Sequence, residues 1–403
     1  MLVYDENTCC GCNACVSACP TRAIKVSQHA NGAVYPDVDT SVCIKCNRCN
    51  MVCPLHLKIN NTNKYPKTIA CQSKDQRIIG KVSSGGVCDQ LGTFVVRQGG
   101  VCFGAKFNDD WLPVHSAAFD LEQLKAFRGS KYVQSDTGET FRECLKLLSK
   151  GRTVCYIGTP CQIAGLKGFL GKDYDNLYTI DFVCHGVPVP GVWKKYLEYL
   201  KEKYGEIHHI EFREKSINWI DYSLKMNFQR ITRIEHHNDN MYMKGFLNNR
   251  YLRESCYRCR FRRDRMSDLT VADFWGLDSL LPDFDRRKQG TSAVVFHTKK
   301  GEELFLQNEH LFKIEQVKFE DFLLRNTAYI SSPVKPTNYD KILFPLLEQW
   351  KPSSVEPLNE KMTMTYKIMN ITSVVYVLFK NAYNPWPYIL EYIKAGIRKI
   401  GGY

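Results

Sequence analysis

Two runs of cysteine carry the strongest chemical signal in this 403-residue sequence. Cys9, Cys12, Cys15 and Cys19 precede Pro20 in the pattern C-x2-C-x2-C-x3-C-P. Cys43, Cys46, Cys49 and Cys53 precede Pro54 in the same pattern, offset by 34 residues, so the segment is an internal duplication. Three thiolates separated by pairs of residues in a tight loop can occupy three corners of a cubane, and a fourth leads away beside a proline that ends the loop. Two [4Fe–4S] clusters, and hence one-electron transfer, are the expectation. Zinc is the alternative, but zinc motifs pair two C-x2–4-C knuckles across a spacer and do not run three cysteines at this spacing. Cys10 breaks the spacing and is not expected to be a ligand.

Over roughly residues 1–56 the sequence resembles bacterial dicluster ferredoxins. The resemblance implies crossed ligation, Cys9, Cys12 and Cys15 with Cys53 on one cluster, and Cys43, Cys46 and Cys49 with Cys19 on the other. Between the motifs, Ala23-Ile24-Lys25-Val26 and Ala33-Val34-Tyr35-Pro36 read as a hairpin around Asn31-Gly32.

The rest of the chain must position whatever these centres serve. At 44% hydrophobic and 24% charged residues the composition is that of a folded globular chain, long enough for two or three domains. Of 18 cysteines, half fall within the first 53 residues. The opening Met-Leu-Val-Tyr-Asp-Glu has no basic stretch followed by an apolar one, so a cytoplasmic, reducing compartment is expected, where dense cysteine reads as metal binding. The formal charge of +13 admits a nucleic-acid-binding role. Three cubanes with four thiolates each would offset roughly 6 of those charges, a simpler account of part of the excess.

A polar stretch from Asn60 to Lys67 reads as a linker. Beyond it, a helix-like run from Val87 to Arg97 and β-rich runs at Val101–Ala105, Val154–Ile157 and Leu177–Val183 predict alternating strands and helices. From Trp386, apolar residues recur at Ile389, Leu390, Ile393, Ile397 and Ile400, with Lys394, Arg398 and Lys399 off the stripe. This tail is either a terminal helix docked on the protein's own core or a basic amphipathic helix in peripheral contact with the inner face of a membrane. No 18-residue apolar run predicts a transmembrane helix.

Outside the duplicated segment, Cys161 follows a strand and Gly158-Thr159-Pro160, Cys184 ends the next strand ahead of His185-Gly186-Val187-Pro188, and Cys256 and Cys259 form a C-x2-C. Strand ends in α/β folds converge on one edge of the sheet, where sites are built. Four such thiolates suffice for a third [4Fe–4S] cluster; from spacing alone, zinc or unliganded thiols are equally open. Gly158-Thr159-Pro160-Cys161-Gln162, Phe182-Val183-Cys184-His185-Gly186-Val187-Pro188, Cys256-Tyr257-Arg258-Cys259 and Asp273-Phe274-Trp275-Gly276 resemble the signature set of the coenzyme F-420 hydrogenase/dehydrogenase beta-subunit family. Ser83-Ser84-Gly85-Gly86 and Lys131-Tyr132-Val133-Gln134-Ser135 extend the resemblance over roughly residues 69–330. Ala272 and Val189 depart from the family pattern without touching a thiolate.

The resemblance implies FAD and one further [4Fe–4S] cluster on Cys161, Cys184, Cys256 and Cys259. It also places the chain beside many bacterial proteins encoded near surface-polysaccharide genes. Flavin contacts are expected at Ser84, Gly85 and Gly86, where glycines and a helix N-terminus favour phosphate, and at Lys131, Gln134, Gly158 and Thr159. Arg250, Arg253, Arg258, Arg260, Arg262, Arg263 and Arg265 flank the C-x2-C; they are either partners of an anionic cluster, flavin pyrophosphate or substrate, or a solvated basic face. His185 is the general-acid candidate, because an ordinary imidazole titrates near neutral pH. Cys10, Cys71, Cys88, Cys102, Cys144 and Cys155 are read as small core residues.

The expected fold class is α+β, an N-terminal ferredoxin-like dicluster domain (1–60) followed by an α/β flavin-binding domain of the F-420 hydrogenase beta-subunit type (68–150 and 151–330, the latter with the third cluster) and a helical tail (331–403). The expected function is an iron–sulfur flavin oxidoreductase that passes electrons between an external ferredoxin-type carrier and FAD, to reduce or oxidise a small-molecule substrate. Oxidation of reduced coenzyme F-420 for a partner complex and cluster-bearing nucleic-acid binding are the alternatives.

Overall fold

The computed structural model describes residues 2, 4–59, 66–285, 288–351 and 355. In the first 59 residues the duplication is visible in the backbone. Each C-x2-C-x2-C loop runs through an asparagine in the left-handed region, Asn13 at φ 61° and Asn47 at φ 62°, and then into a short helix, Ala14–Ala18 or Arg48–Met51. Asparagine is among the few side chains that tolerate this conformation. Between the loops, β1 (Ile24–Gln28) pairs antiparallel with β2 (Val34–Val38), turning through Gly32 at φ 74°. The expected hairpin is therefore present.

The remaining strands are β3 (Thr68–Ser73), β4 (Val101–Phe107), β5 (Pro113–Ala118), β6 (Val154–Gly158), β7 (Leu177–Phe182), β8 (Ile207–Glu214), β9 (Ser223–Phe228), β10 (Thr232–His236), β11 (Leu269–Asp273), β12 (Ser292–Phe296) and β13 (Phe312–Val317). Eight of them form one mixed sheet in the order β13-β3-β12-β11-β7-β6-β4-β5. Its centre, β4, β6, β7 and β11, is parallel, and antiparallel strands close both sides. A three-stranded antiparallel sheet, β10-β9-β8, stands apart. Strands from residues 68–150 and from residues 151–330 interleave in the large sheet, so the two stretches share one core.

Alternation along the strands divides that core. Val154 and Tyr156 of β6, with Val101 and Phe103 of β4, pack against the helices Thr140–Ser149 and Pro160–Leu170. Cys155 and Cys102 face the other way, against the helix Val87–Arg97. Helices on both faces are what a parallel sheet buried on both sides requires. Cys71, Cys102, Cys144 and Cys155 are fully buried, as expected of core residues.

The dicluster segment is seated on this domain by arginines that donate to its backbone. Arg142 reaches the carbonyls of Val16, Ser17 and Cys19, and Arg260 those of Leu55 and Leu57. The helix Pro160–Leu170 offers glycines as the bed. A Cβ on Gly165 would stand 2.8 Å from Cys12 Sγ, and one on Gly168 would stand 2.4 Å from the Val52 carbonyl oxygen. Most of the expected linker and the amphipathic stretch from Trp386 lie outside the described residues. Among the described residues no helix is long and apolar enough to cross a membrane.

Candidate redox site

The parallel strands end in the loops that carry the cysteines. After β6, Thr159 accepts a hydrogen bond from the Gln162 amide and caps the helix Pro160–Leu170, while the Gln162 side chain accepts from the Thr159 N–H. This capping box fixes Cys161 in the first helical turn. After β7 the chain runs through Cys184 and then Gly186 at φ 119°. Cys256 sits within a 3-10 turn, Glu254–Arg258, and Cys259 follows it, its N–H donating to Ser332 Oγ at 3.1 Å. All four thiols line one cavity of about 740 Å³. Three of them have polar neighbours, two of these being backbone N–H donors. Thr159 Oγ1 lies 3.1 Å from Cys161 Sγ, the Gly186 N–H donates to Cys184 Sγ at 3.4 Å, and the Val187 N–H to Cys256 Sγ at 3.5 Å. Such contacts stabilise thiolate over thiol and tune a cluster's potential.

Cys19, Cys43, Cys46 and Cys49 line a second, small cavity, the crossed set expected for one cluster. In the other set, burial and then the neighbouring Cys9 and Cys53 push the Cys15 thiol up to about 12. Among the described residues no three cysteine, histidine or carboxylate side chains converge on a single-ion site; the thiols stand around spaces rather than around a point. Cys10 is not simply a core residue, because it lines the large cavity and its free thiol is within hydrogen-bonding reach of those of Cys12 and Cys161. Cys88 lines the same cavity.

Four of the seven arginines around the C-x2-C are not on a solvated face, while Arg258 and Arg263 are exposed. Arg250, Arg253, Arg262 and Arg265 are at most 5% exposed. Arg265 pairs with the buried Asp181 at 2.9 Å. Arg253 has no carboxylate partner among the described residues. Its Nε donates to the Cys9 carbonyl at 2.8 Å, its Nη1 to Val34 O and Gln134 Oε1, and its plane covers the Tyr35 ring at 4.3 Å. Its Nη2 has no partner. Arg262 donates to the Ala328 carbonyl, again with no carboxylate, and its Nε is unpartnered. A buried guanidinium without an anion costs several kcal/mol. Cubanes held by four thiolates would supply that anion, so the residues present fit the group.

Of the expected flavin contacts, Ser84, Gly86, Lys131, Gln134, Gly158 and Thr159 line the cavity and Gly85 does not. Several are already engaged. Gln134 donates to the Gly11 carbonyl and accepts from Arg253, which makes it a tie to the dicluster segment. Ser84 donates to the Thr291 carbonyl. Gly85 is required by packing, since a Cβ there would lie 2.3 Å from the Cys71 carbonyl oxygen. Gly86, at φ 84°, opens the helix Val87–Arg97 with no side-chain cap, leaving first-turn amides at the cavity wall. Lys131 Nζ donates to the carbonyls of Phe127, Arg128 and Gly129, and burial pushes its ammonium down to about 7.

Residues 151–321 match the family model for the C-terminal part of the coenzyme F420 hydrogenase/dehydrogenase beta subunit, and residues 8–56 match the 4Fe-4S dicluster domain. The chain thus joins a 4Fe-4S dicluster domain to a segment similar to the C-terminal part of that beta subunit. A chain in a solved structure of the F420-reducing [NiFe] hydrogenase complex from Methanosarcina barkeri is similar at 18% identity, over 72% of this chain and 90% of that one, with a TM-score of 0.45. No curated protein matches the sequence.

His185, expected as a general acid, lines the cavity. Its Nε2 contacts Asn249 Oδ1 at 2.7 Å and its ring meets the Phe246 edge. Burial, and then the Arg262 guanidinium, push the imidazole down to about 4. Sequence reasoning did not single out Arg142 or the position of Cys10. It noted Arg253 and Arg262 only as part of a run. The signal that marks them, as it marks Arg250 and Arg265, is three-dimensional: their side chains turn inward.

Proposed function

We propose that the chain is a flavin-dependent iron–sulfur oxidoreductase that exchanges electrons between a one-electron carrier protein and a small organic substrate. The observation that carries this reading is the convergence of Cys161, Cys184, Cys256 and Cys259 on one cavity, with Arg262 in its lining and Arg253 near Cys161, both buried and without a carboxylate partner among the described residues. In it, Cys9, Cys12, Cys15 and Cys53 hold one [4Fe–4S] cluster, Cys19, Cys43, Cys46 and Cys49 a second, and the four cavity cysteines a third. When bound, a flavin takes up electrons in pairs and releases them singly, whereas each cluster carries one at a time.

The chain's own residues then have defined work. Arg253 and Arg262 hold positive charge beside the thiolates, which favours the more negative, reduced level. The uncapped N-terminus of the helix Val87–Arg97 and the Lys131 ammonium favour phosphate at one side of the cavity. The volume of about 740 Å³ lies within the range of cofactor and ligand sites. His185, tied to Asn249, shapes the wall. The test is denaturation of anaerobically purified protein. Released FAD at about one per chain supports the reading, and cluster absorbance without flavin removes it.

A second reading, oxidation of reduced coenzyme F420, is favoured by the family match over residues 151–321. Rapid mixing with reduced F420 separates the two: bleaching of bound flavin within the mixing experiment favours the deazaflavin, and an unchanged flavin spectrum favours another substrate.

A further inference from the structure

We propose that the face around Cys19, Cys43, Cys46 and Cys49 is the docking site of an acidic one-electron carrier protein, a statement that rests on the electron-transfer reading above. The two thiol sets of the dicluster domain are not equivalent. The set containing Cys12 lies against the large domain, where Cys12 meets Gly165 and the Cys10 thiol is within hydrogen-bonding reach of Cys161. The other set lines a cavity made only by the first 49 residues, with Cys46 exposed. It is the solvent-facing end.

The surface there has a definite chemistry. Ile44 and Met51 are 63% and 69% exposed and Val42 is 47% exposed, all within ten residues of one another and flanking the cysteines. Lys45 and Arg48 line the same cavity, and no carboxylate lines it. Arg22 and Lys25, also exposed, stand on the loop and strand that follow Cys19. None of these four cations has an ion-pair partner among the described residues, whereas Glu6 and Asp37 of the same domain are occupied by His29 at 2.7 and 3.4 Å. Lys25 feels the exposed Asp39 nearby, but Lys45 and Arg48 beside the small apolar centre do not share it, and this patch suits a brief encounter with an acidic protein, steered by long-range attraction and released without a large buried area. Each encounter transfers one electron: the reduced carrier is oxidised and the outer centre of this chain is reduced, with no proton or bond exchanged.

The test uses the full chain, purified anaerobically, and a strongly acidic 2[4Fe–4S] ferredoxin reduced beforehand, with reduction of the chain followed in a stopped-flow mixer. The second-order rate constant is expected to fall at least about tenfold between about 20 and 500 mM salt. Lys45→Glu with Arg48→Glu is expected to lower the low-salt rate at least about tenfold and to flatten the salt dependence, with iron content and EPR spectrum unchanged. Arg22→Glu with Lys25→Glu, off the ligand loops, serves if the first pair loses iron and is expected to act in the same direction. Ile44→Ser is expected to slow transfer without changing the salt slope. Wild-type rates in the charge-reversed variants overturn the docking face and leave the electron-transfer reading intact. A concentration-dependent dimer of the wild type that the same variants dissociate also overturns it, by making the face a self-contact. No electron transfer from the ferredoxin to the wild-type chain overturns the port itself.

Discussion

Arg253 joins the two halves of the molecule at the level of single atoms. Its guanidinium holds the Cys9 and Val34 carbonyls of the dicluster domain and the Gln134 amide of the large domain. It also draws the Cys161 thiol down, against the rise that Cys10 and burial impose on it. Replacing it with methionine keeps much of the volume and removes the charge. Arg253→Met is expected to lower the reduction potential of the adjacent cluster by on the order of tens of millivolts in an EPR-monitored titration, and Arg253→Lys to recover most of it. Lys131 gives the pH dependence. Its folded pKa, about 7, lies below that of a solvated lysine, so the unfolded chain binds more protons above pH 7 and burial of this group costs least in alkali. An anionic cofactor beside it gains attraction only while it is charged. Binding of FAD to apo-protein, followed by fluorescence quenching, is therefore expected to weaken roughly fivefold as pH rises through 7, and Lys131→Met to flatten that profile. At this scale the cysteines were legible because a thiolate pattern is chemistry written in spacing. The buried arginines were not, because arginine is ordinarily a surface residue and only tertiary packing turns it inward.

Secondary structure positions these atoms with few residues. The helix Val87–Arg97 and strands β4, β6 and β7 stand where β-branched runs and turn glycines put them in the sequence. The mixed sheet order was less legible, since β3, β12 and β13 reach it by pairings over long sequence separations that local patterns do not encode. Gly165 and Gly168 were not singled out either. One helical turn apart, they form the surface on which Cys12 and Val52 rest. Gly168→Val is expected to destabilise the protein by about 1–3 kcal/mol, read as a lower urea midpoint with unchanged slope, because its side chain meets backbone that cannot yield. An unchanged midpoint would mean that the dicluster domain is held by its arginine contacts alone.

Across the whole molecule, thiols are arranged in depth. The exposed set at Cys46 lies outermost, the set containing Cys12 lies against the large domain, and Cys10 stands between Cys12 and the cavity cysteine Cys161. The +13 formal charge fits this plan better than a nucleic-acid surface, since four of the seven arginines about the C-x2-C are buried beside or near it. The central claim is that three thiol sets and one flavin cavity work as a unit. Iron, sulfide and flavin counted together in anaerobically purified protein test it most directly. About 12 iron and 12 sulfide with about one flavin per chain are expected, falling to about 8 iron in Cys184→Ser. About 8 iron in the unaltered protein, with no flavin, would contradict it.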